Sequence, residues 1–223
     1  MSINIISRMK TKRIYSAVVI VFFISSCQFV KNKTQEGVNS TLESVIESQT
    51  GQDIDLAELD SYQDQKVEAN FEYDGKELLN ENVNFSGSIL ISKSPEELNI
   101  SFQLVDESGI SLMGVFSNFT EDFKLPLVGK FSPSNTPTEG FATATLILTK
   151  VSETGMEELP MPFEGSMTML SINEKEAEFE VNARGGTSQN TNDPTLWKNI
   201  KCKVKISNPI YQSIGIKKEQ IFK

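Results

Sequence analysis

Leu98-Asn99-Ile100-Ser101-Phe102-Gln103-Leu104 places an apolar residue at every second position and a polar one between each pair. Successive side chains of a strand point to opposite faces. The stretch therefore offers Leu98, Ile100, Phe102 and Leu104 to one side and Asn99, Ser101 and Gln103 to the other. A helix would scatter the same apolar residues around its circumference. The spacing predicts a strand with one face in a core.

The period of two recurs in both directions. Upstream, Val67, Ala69, Phe71 and Tyr73 alternate with Glu68, Asn70 and Glu72, and Asp74-Gly75 supplies a hairpin-type turn. Phe85, Gly87, Ile89 and Ile91 alternate with Ser86 and Ser88. Downstream, Ser108-Gly109 turns the chain into a further run over 110–119. Beyond a Pro/Ser/Thr-rich passage over 132–140, Ala142, Ala144, Leu146 and Leu148 continue the pattern, and runs over 163–172, 176–184 and 200–207 follow. So many short alternating runs predict antiparallel sheets buried on one face.

Charge proposes one pairing. Glu176, Glu178 and Glu180 stand opposite Ala177, Phe179 and Val181, while Lys201, Lys203 and Lys205 stand opposite Cys202, Val204 and Ile206. Neighbouring strands with these outer rows would set opposite charges side by side, with Glu178 and Lys203 as the expected pair. The fold class read from these runs is mainly β: an antiparallel β-sandwich or small barrel over residues 66–210, preceded by a short N-terminal α-helix. Residues 185–194 form a polar loop longer than a hairpin needs, and residues 211–223 read as a C-terminal tail.

Before the β region, residues 39–65 read as a short helix followed by an acidic linker. Ser40-Thr41-Leu42-Glu43 has the pattern of a capping box, Leu42, Val45 and Ile46 fall at helical spacing, and Gly51 offers a stop. Such a short helix is marginal alone and is expected to dock its apolar stripe. The alternating acids of residues 53–60 suggest a calcium loop, but Ala57 takes a ligand position and Glu58 stands where a sharp turn needs glycine. A solvated linker fits them better.

The N-terminus carries a different kind of signal. Arg8, Lys10, Lys12 and Arg13 precede an apolar run over 15–23, and Ile24-Ser25-Ser26-Cys27 closes it. The run is about half the roughly 20 residues needed to span a bilayer. Residues 1–27 resemble a bacterial lipoprotein signal peptide, which implies cleavage after residue 26 and lipidation of Cys27. Several acyl chains, each buried CH₂ worth about 0.8 kcal/mol, would then hold the chain to the membrane. In lipoproteins of double-membraned bacteria an aspartate after the cysteine signals inner-membrane retention. Gln28 stands there instead, which implies the outer membrane. Residues 27–38 follow as a polar, lipidated tether.

Removing residues 1–26 takes away four basic residues and no acidic one, leaving 17 basic against 30 acidic residues and a net charge of −13. A surface so acidic disfavours nucleic acid, whose phosphates need a basic patch. Lipidation of Cys27 would leave Cys202 without a disulfide partner. Cys202 shares its face with Ile200, Val204 and Ile206 and reads as a small buried hydrophobe.

Catalytic equipment is scarce. The chain has no histidine, which excludes a serine–histidine triad and removes the commonest metal ligand. Glu121-Asp122 and Glu157-Glu158 are adjacent carboxylates in polar turns and read as solvated charges rather than a glycosidase pair. No Walker or dinucleotide-binding glycine pattern occurs, so no metal or cofactor is expected. Trp197, the only tryptophan, is the candidate ligand or partner contact, including a carbohydrate platform, although its setting at the start of a strand equally suits a rim anchor. Small residues at Ala142, Ala144, Gly87, Gly114 and Gly165 raise a third reading, a barrel with room for a lipid-like ligand. The function expected is that of a lipid-anchored cell-envelope β-domain with a non-catalytic structural or protein-interaction role. The alternative is a ligand-binding lipoprotein for a carbohydrate or lipid-like molecule. A filled core would favour the first and a lined cavity the second.

Overall fold

The computed structural model describes residues 54–55, 64–79 and 83–222, apart from 96, 107, 134–136, 153–154 and 218–219. The expected signal peptide, Cys27, the tether and the helix near residue 40 lie outside the described residues.

The opening heptapeptide lies in a strand, as its spacing requires. Thirteen strands form among the described residues: β1 (Ile54–Asp55), β2 (Lys66–Tyr73), β3 (Lys76–Leu79), β4 (Ser86–Lys93), β5 (Leu98–Val105), β6 (Ile110–Phe119) and β7 (Leu127–Lys130), then β8 (Ala142–Ser152), β9 (Gly155–Glu158), β10 (Met161–Ile172), β11 (Glu176–Gly186), β12 (Lys198–Ser207) and β13 (Tyr211–Ile214). They join in one continuous sheet ordered β1-β13-β4-β5-β6-β8-β7-β10-β11-β12-β2-β3, with β9 paired to β8. The protein is mainly β.

The sheet curls on itself. Phe102 of β5 lies 4.6 Å from Phe179 of β11, and Phe116 of β6 lies 6.2 Å from the same ring, although β5 and β11 are separated by four strands in the sheet order. The alternating apolar residues of both limbs thereby share one core, in which Phe71, Ile89, Phe102, Leu104, Phe116 and Val204 are fully buried. The limbs also meet at a side chain. Gln65, just before β2, donates from Nε2 to the Gly87 carbonyl at 2.9 Å and accepts the Gly87 N–H at Oε1 at 3.0 Å. Those Gly87 groups lie on the edge of β4 where Ile89 N–H bonds the Ile210 carbonyl, so a glutamine amide continues the ladder beyond the start of β13.

Three expectations need correction. The sheet is mixed rather than antiparallel, because β13 runs parallel to β4 and β7 parallel to β8. The β region also reaches past both expected bounds: Ile54–Asp55, in the stretch read as linker, pairs with β13, which itself lies in the stretch read as tail. Tyr211, Gln212, Ser213 and Ile214 are all buried, so β13 has no solvent face and no alternation to announce it. The charge pairing holds with a shifted register. β11 and β12 are neighbours, but Glu180 faces Lys203 and Glu178 faces Lys205. Glu180 meets the Lys203 ammonium at 2.6 Å, and that hydrogen bond raises the lysine above its usual pKa.

Candidate functional site

The hairpin between β10 and β11 shapes one cleft among the described residues. Asn173 supports the turn, its Oδ1 accepting the N–H groups of Lys175 at 2.9 Å and Glu176 at 3.2 Å. Asn208 N–H reaches the Lys175 carbonyl at 2.9 Å. The Tyr211 hydroxyl donates to the Asn173 carbonyl at 2.7 Å, and burial pushes that phenol well above its usual pKa. The turn is thus held from three sides and forms a rigid wall.

Two other segments complete the cleft, which has a volume of about 590 Å³. The loop after β6 contributes Glu121, Phe123 and Leu125. Phe123 stands edge-on to Phe119 at 5.3 Å, and Glu121 is ion-paired with Lys93. The C-terminal residues Ile221 and Phe222 form the third wall, with the Phe222 ring 4.7 Å from Tyr211. Ile172 lies at its hairpin side, and Glu174 and Lys175 are exposed at its mouth. The result is an open cleft of mixed polarity, within the size range of small-molecule sites.

Trp197 is not among the cleft residues. Its indole N–H donates to the Asn190 carbonyl at 2.8 Å, and its ring lies 5.4 Å from Phe163. Around it the loop is internally bonded: Thr187 Oγ1 donates to Asn190 Oδ1 at 2.8 Å, and Asp193 Oδ1 accepts from Thr195 N–H and Oγ1 at 3.1 and 2.6 Å. Arg184 donates to the Pro194 carbonyl at 3.2 Å. Half-buried and with its one donor occupied, Trp197 is placed as the anchor of the loop.

The small residues read as room for a ligand are contact points. A Cβ on Gly114 would come within 2.3 Å of the Phe102 ring, and one on Gly87 within 1.9 Å of the Gln103 carbonyl oxygen. Gly165 has φ +110°, and its Cβ would lie 2.4 Å from the Asn182 carbonyl oxygen. Ala142 and Ala144 are buried in the shared core.

The acidic candidates do not converge on one site. Glu121 is engaged with Lys93 while Asp122 is exposed, and Glu157 lies 3.9 Å from Lys150. Among the described residues no three Asp, Glu, Cys or His side chains gather as a metal site. Cys202 is 1% exposed between Val181 and Phe71 of the adjacent strands, and burial pushes its thiol up to about 12. Such a thiol is inert at neutral pH.

Sequence reading missed the cleft. Asn173-Glu174-Lys175 between two alternating runs is a legible turn signal, but nothing local couples it to Phe123 or to Phe222, which lie about 50 residues away on either side. Comparison with known proteins finds no family model, no curated protein and no solved structure that matches this chain.

Proposed function

We propose that this chain is a lipoprotein of the bacterial envelope, held through Cys27, whose β domain acts by non-catalytic contact with a partner. The observation that carries the reading is the filled interior. The rings of Phe102, Phe116 and Phe179 meet where a carrier would keep its cavity, and the strand glycines abut neighbouring atoms. A domain whose described core is filled by side chains offers its surface. An envelope protein is the expected partner, with the outer membrane as the expected location from Gln28. The tether and short helix before the sheet belong to the same proposal.

A second reading, small-ligand binding, draws support from the cleft beside the Asn173 turn rather than from the core or from Trp197. Its ligand would touch Phe123, Leu125 and Phe222 with an apolar group and meet Glu174 and Lys175 at the mouth.

The anchor is tested by producing the full chain and its Cys27→Ser variant in a double-membraned bacterium with radiolabelled palmitate. The native chain is expected to take up label and pellet with outer membranes, and the variant to do neither. A variant that still pellets after carbonate extraction defeats the lipoprotein reading. Saturable binding of a fluorescent fatty acid, abolished by Gly114→Leu but not by Phe222→Ala, would defeat the filled-domain reading.

A further inference from the structure

Leu78, Leu125, Phe141, Leu170 and Leu196 are the large apolar side chains that stand exposed among the described residues. Three of them gather at one end of the sheet, around the start of β7. Gly129 pairs with Ala142 and Leu127 with Met169. Phe141, just before Ala142, and Leu170, just after Met169, therefore stand on either side of Leu125 and Pro126. Leu170 is the residue over which β10 bulges, since Met169 pairs with Phe179 and Ser171 with Glu178, and the bulge leaves it outside the ladder. A turn closed by the Phe141 N–H on the Thr138 carbonyl at 3.1 Å carries the third side chain. Leu125 and Phe141 are each 43% exposed and Leu170 is 37% exposed.

Two lysines share this rim. Lys130 Nζ lies 4.9 Å from the centre of the Phe141 ring, and Lys124 is exposed next to Leu125. Neither is in an ion pair among the described residues. Leucine and phenylalanine beside lysines, whose stems lie on apolar surface while their heads stay hydrated, make up the chemistry of an interfacial anchor. Strand direction fixes where the N-terminal segment joins the sheet. Ile54 pairs with Ile214 and Ile214 with Ser92; Ser92 then pairs with Asn99, Leu98 with Phe119, and Ser117 with Thr143. Ile54 thus stands on the rim where β6 ends and β8 begins, which is the rim of Phe141. Residues 28–53 lead from that point to Cys27 and reach at most about 90 Å.

We propose that Leu125, Phe141 and Leu170 seat this rim in a phospholipid bilayer, with the ammoniums of Lys124 and Lys130 at headgroup level. The inference rests on the reading of Cys27 as a lipid anchor, which attaches the bilayer to the sheet at this same rim. An anchored chain meets its membrane in an intramolecular step, so a contact of three side chains suffices where a free domain would need more. Phe141 and Leu170 stand outside the cleft, and a deformable phase takes up projecting side chains without a matching pocket. Asp122 and Glu139 are exposed on the same rim, so apolar insertion holds the contact rather than attraction to anionic headgroups. Leu196, 49% exposed, belongs to the opposite rim, where β10 and β12 begin, and stays in water.

The test is quenching by brominated lipid. The full chain is produced in a double-membraned bacterium, labelled with bimane at Phe141→Cys or Leu196→Cys, and reconstituted in phosphatidylethanolamine and phosphatidylglycerol vesicles that carry acyl-brominated phosphatidylcholine. Label at residue 141 is expected to be quenched, and to remain so when phosphatidylglycerol is omitted. Strands of 10 to 12 residues set the rims about 30 Å apart, so label at residue 196 is expected to lose about a fifth as much signal or less. Adding Leu170→Asp to Phe141→Cys is expected to cut the quenching severalfold, with an unchanged melting curve showing that the variant folds. The unsubstituted chain is expected to take no label, because Cys202 is buried and Cys27 acylated. Label on Cys27 would defeat the anchor reading and the proposal with it. With Cys27 blocked, absent quenching at residue 141, or equal quenching at 196, would overturn the proposal alone. Shielding of residue 141 from aqueous iodide in isolated envelopes, without quenching by lipid, would mean that a protein covers the rim and would overturn it too.

Discussion

Gly114→Ala separates a filled core from a hollow one by the sign of its effect. In a strand with room beside it, alanine for glycine stabilises a protein by about 0.4–1 kcal/mol, because it narrows the unfolded ensemble. Here the new methyl would stand 2.3 Å from Phe102 Cε1 and 2.5 Å from Cζ. Carbon atoms settle at about 3.5–4.0 Å, so the ring or the strand must retreat by more than about 1 Å. The ring has nowhere to go. Phe102 is 1% exposed and is backed by Phe179 at 4.6 Å. Overpacking of this kind costs about 1–3 kcal/mol, and in a domain of this size each kcal/mol lowers Tm by about 2–4 °C. Urea titration followed by circular dichroism should show the midpoint falling at unchanged slope. Phe102→Leu shortens the obstacle, so the double variant should be less destabilised than the sum of the singles by about 1 kcal/mol. A Gly114→Ala protein as stable as the native one, or more so, would mean that space lies inside the sheet, and the carrier reading would return.

Gln65→Leu should cost about 1–3 kcal/mol, because it leaves the N–H and carbonyl of Gly87 without their partners, and hydrogen exchange at the Gly87 amide should accelerate while that at Phe179 follows global stability alone. Buried Cys202 holds its proton up to about 12 in the folded state against an ordinary value of 9.0, so the folded form binds more protons and stability must fall as pH rises above 9. The slope from this group approaches 1.4 kcal/mol per pH unit between 9 and 12, and melts of Cys202→Ala across that window should lack it. Glu180→Lys and Lys203→Glu should each lower Tm slightly, and the double exchange should recover most of the loss, because the pair is 2.6 Å apart on an exposed face. Strictly additive losses would refute the coupling.

Period-two alternation makes β2, β5, β6, β11 and β12 visible in the sequence, because each has one face toward the core and one more open; β8 and β10 follow the same pattern, and β4 shows it in part although it is buried on both faces from Gly87 to Ile91. The elements that escaped are those without that asymmetry. β1 has two residues, β7 and β9 have four each, and β13 is buried throughout. The cleft escaped for a related reason: its walls come from three segments whose apolar residues are individually ordinary. Trp197 stood out by rarity, yet its donor and its ring are taken up by Asn190 and Phe163.

The sequence by itself determined a β domain, its principal strands, the adjacency of the Glu176 and Lys201 rows, and the burial of Cys202. All of these follow from local period and composition, which a strand expresses whatever its neighbours are. Only the tertiary structure decided that the strands form one curled sheet rather than two stacked ones. It also decided that β13 joins β4 in parallel, that Gln65 links the limbs, and that glycines read as space lie under rings and carbonyls. These features depend on which segments meet after the chain closes long loops, and alternation is indifferent to the partner that satisfies it.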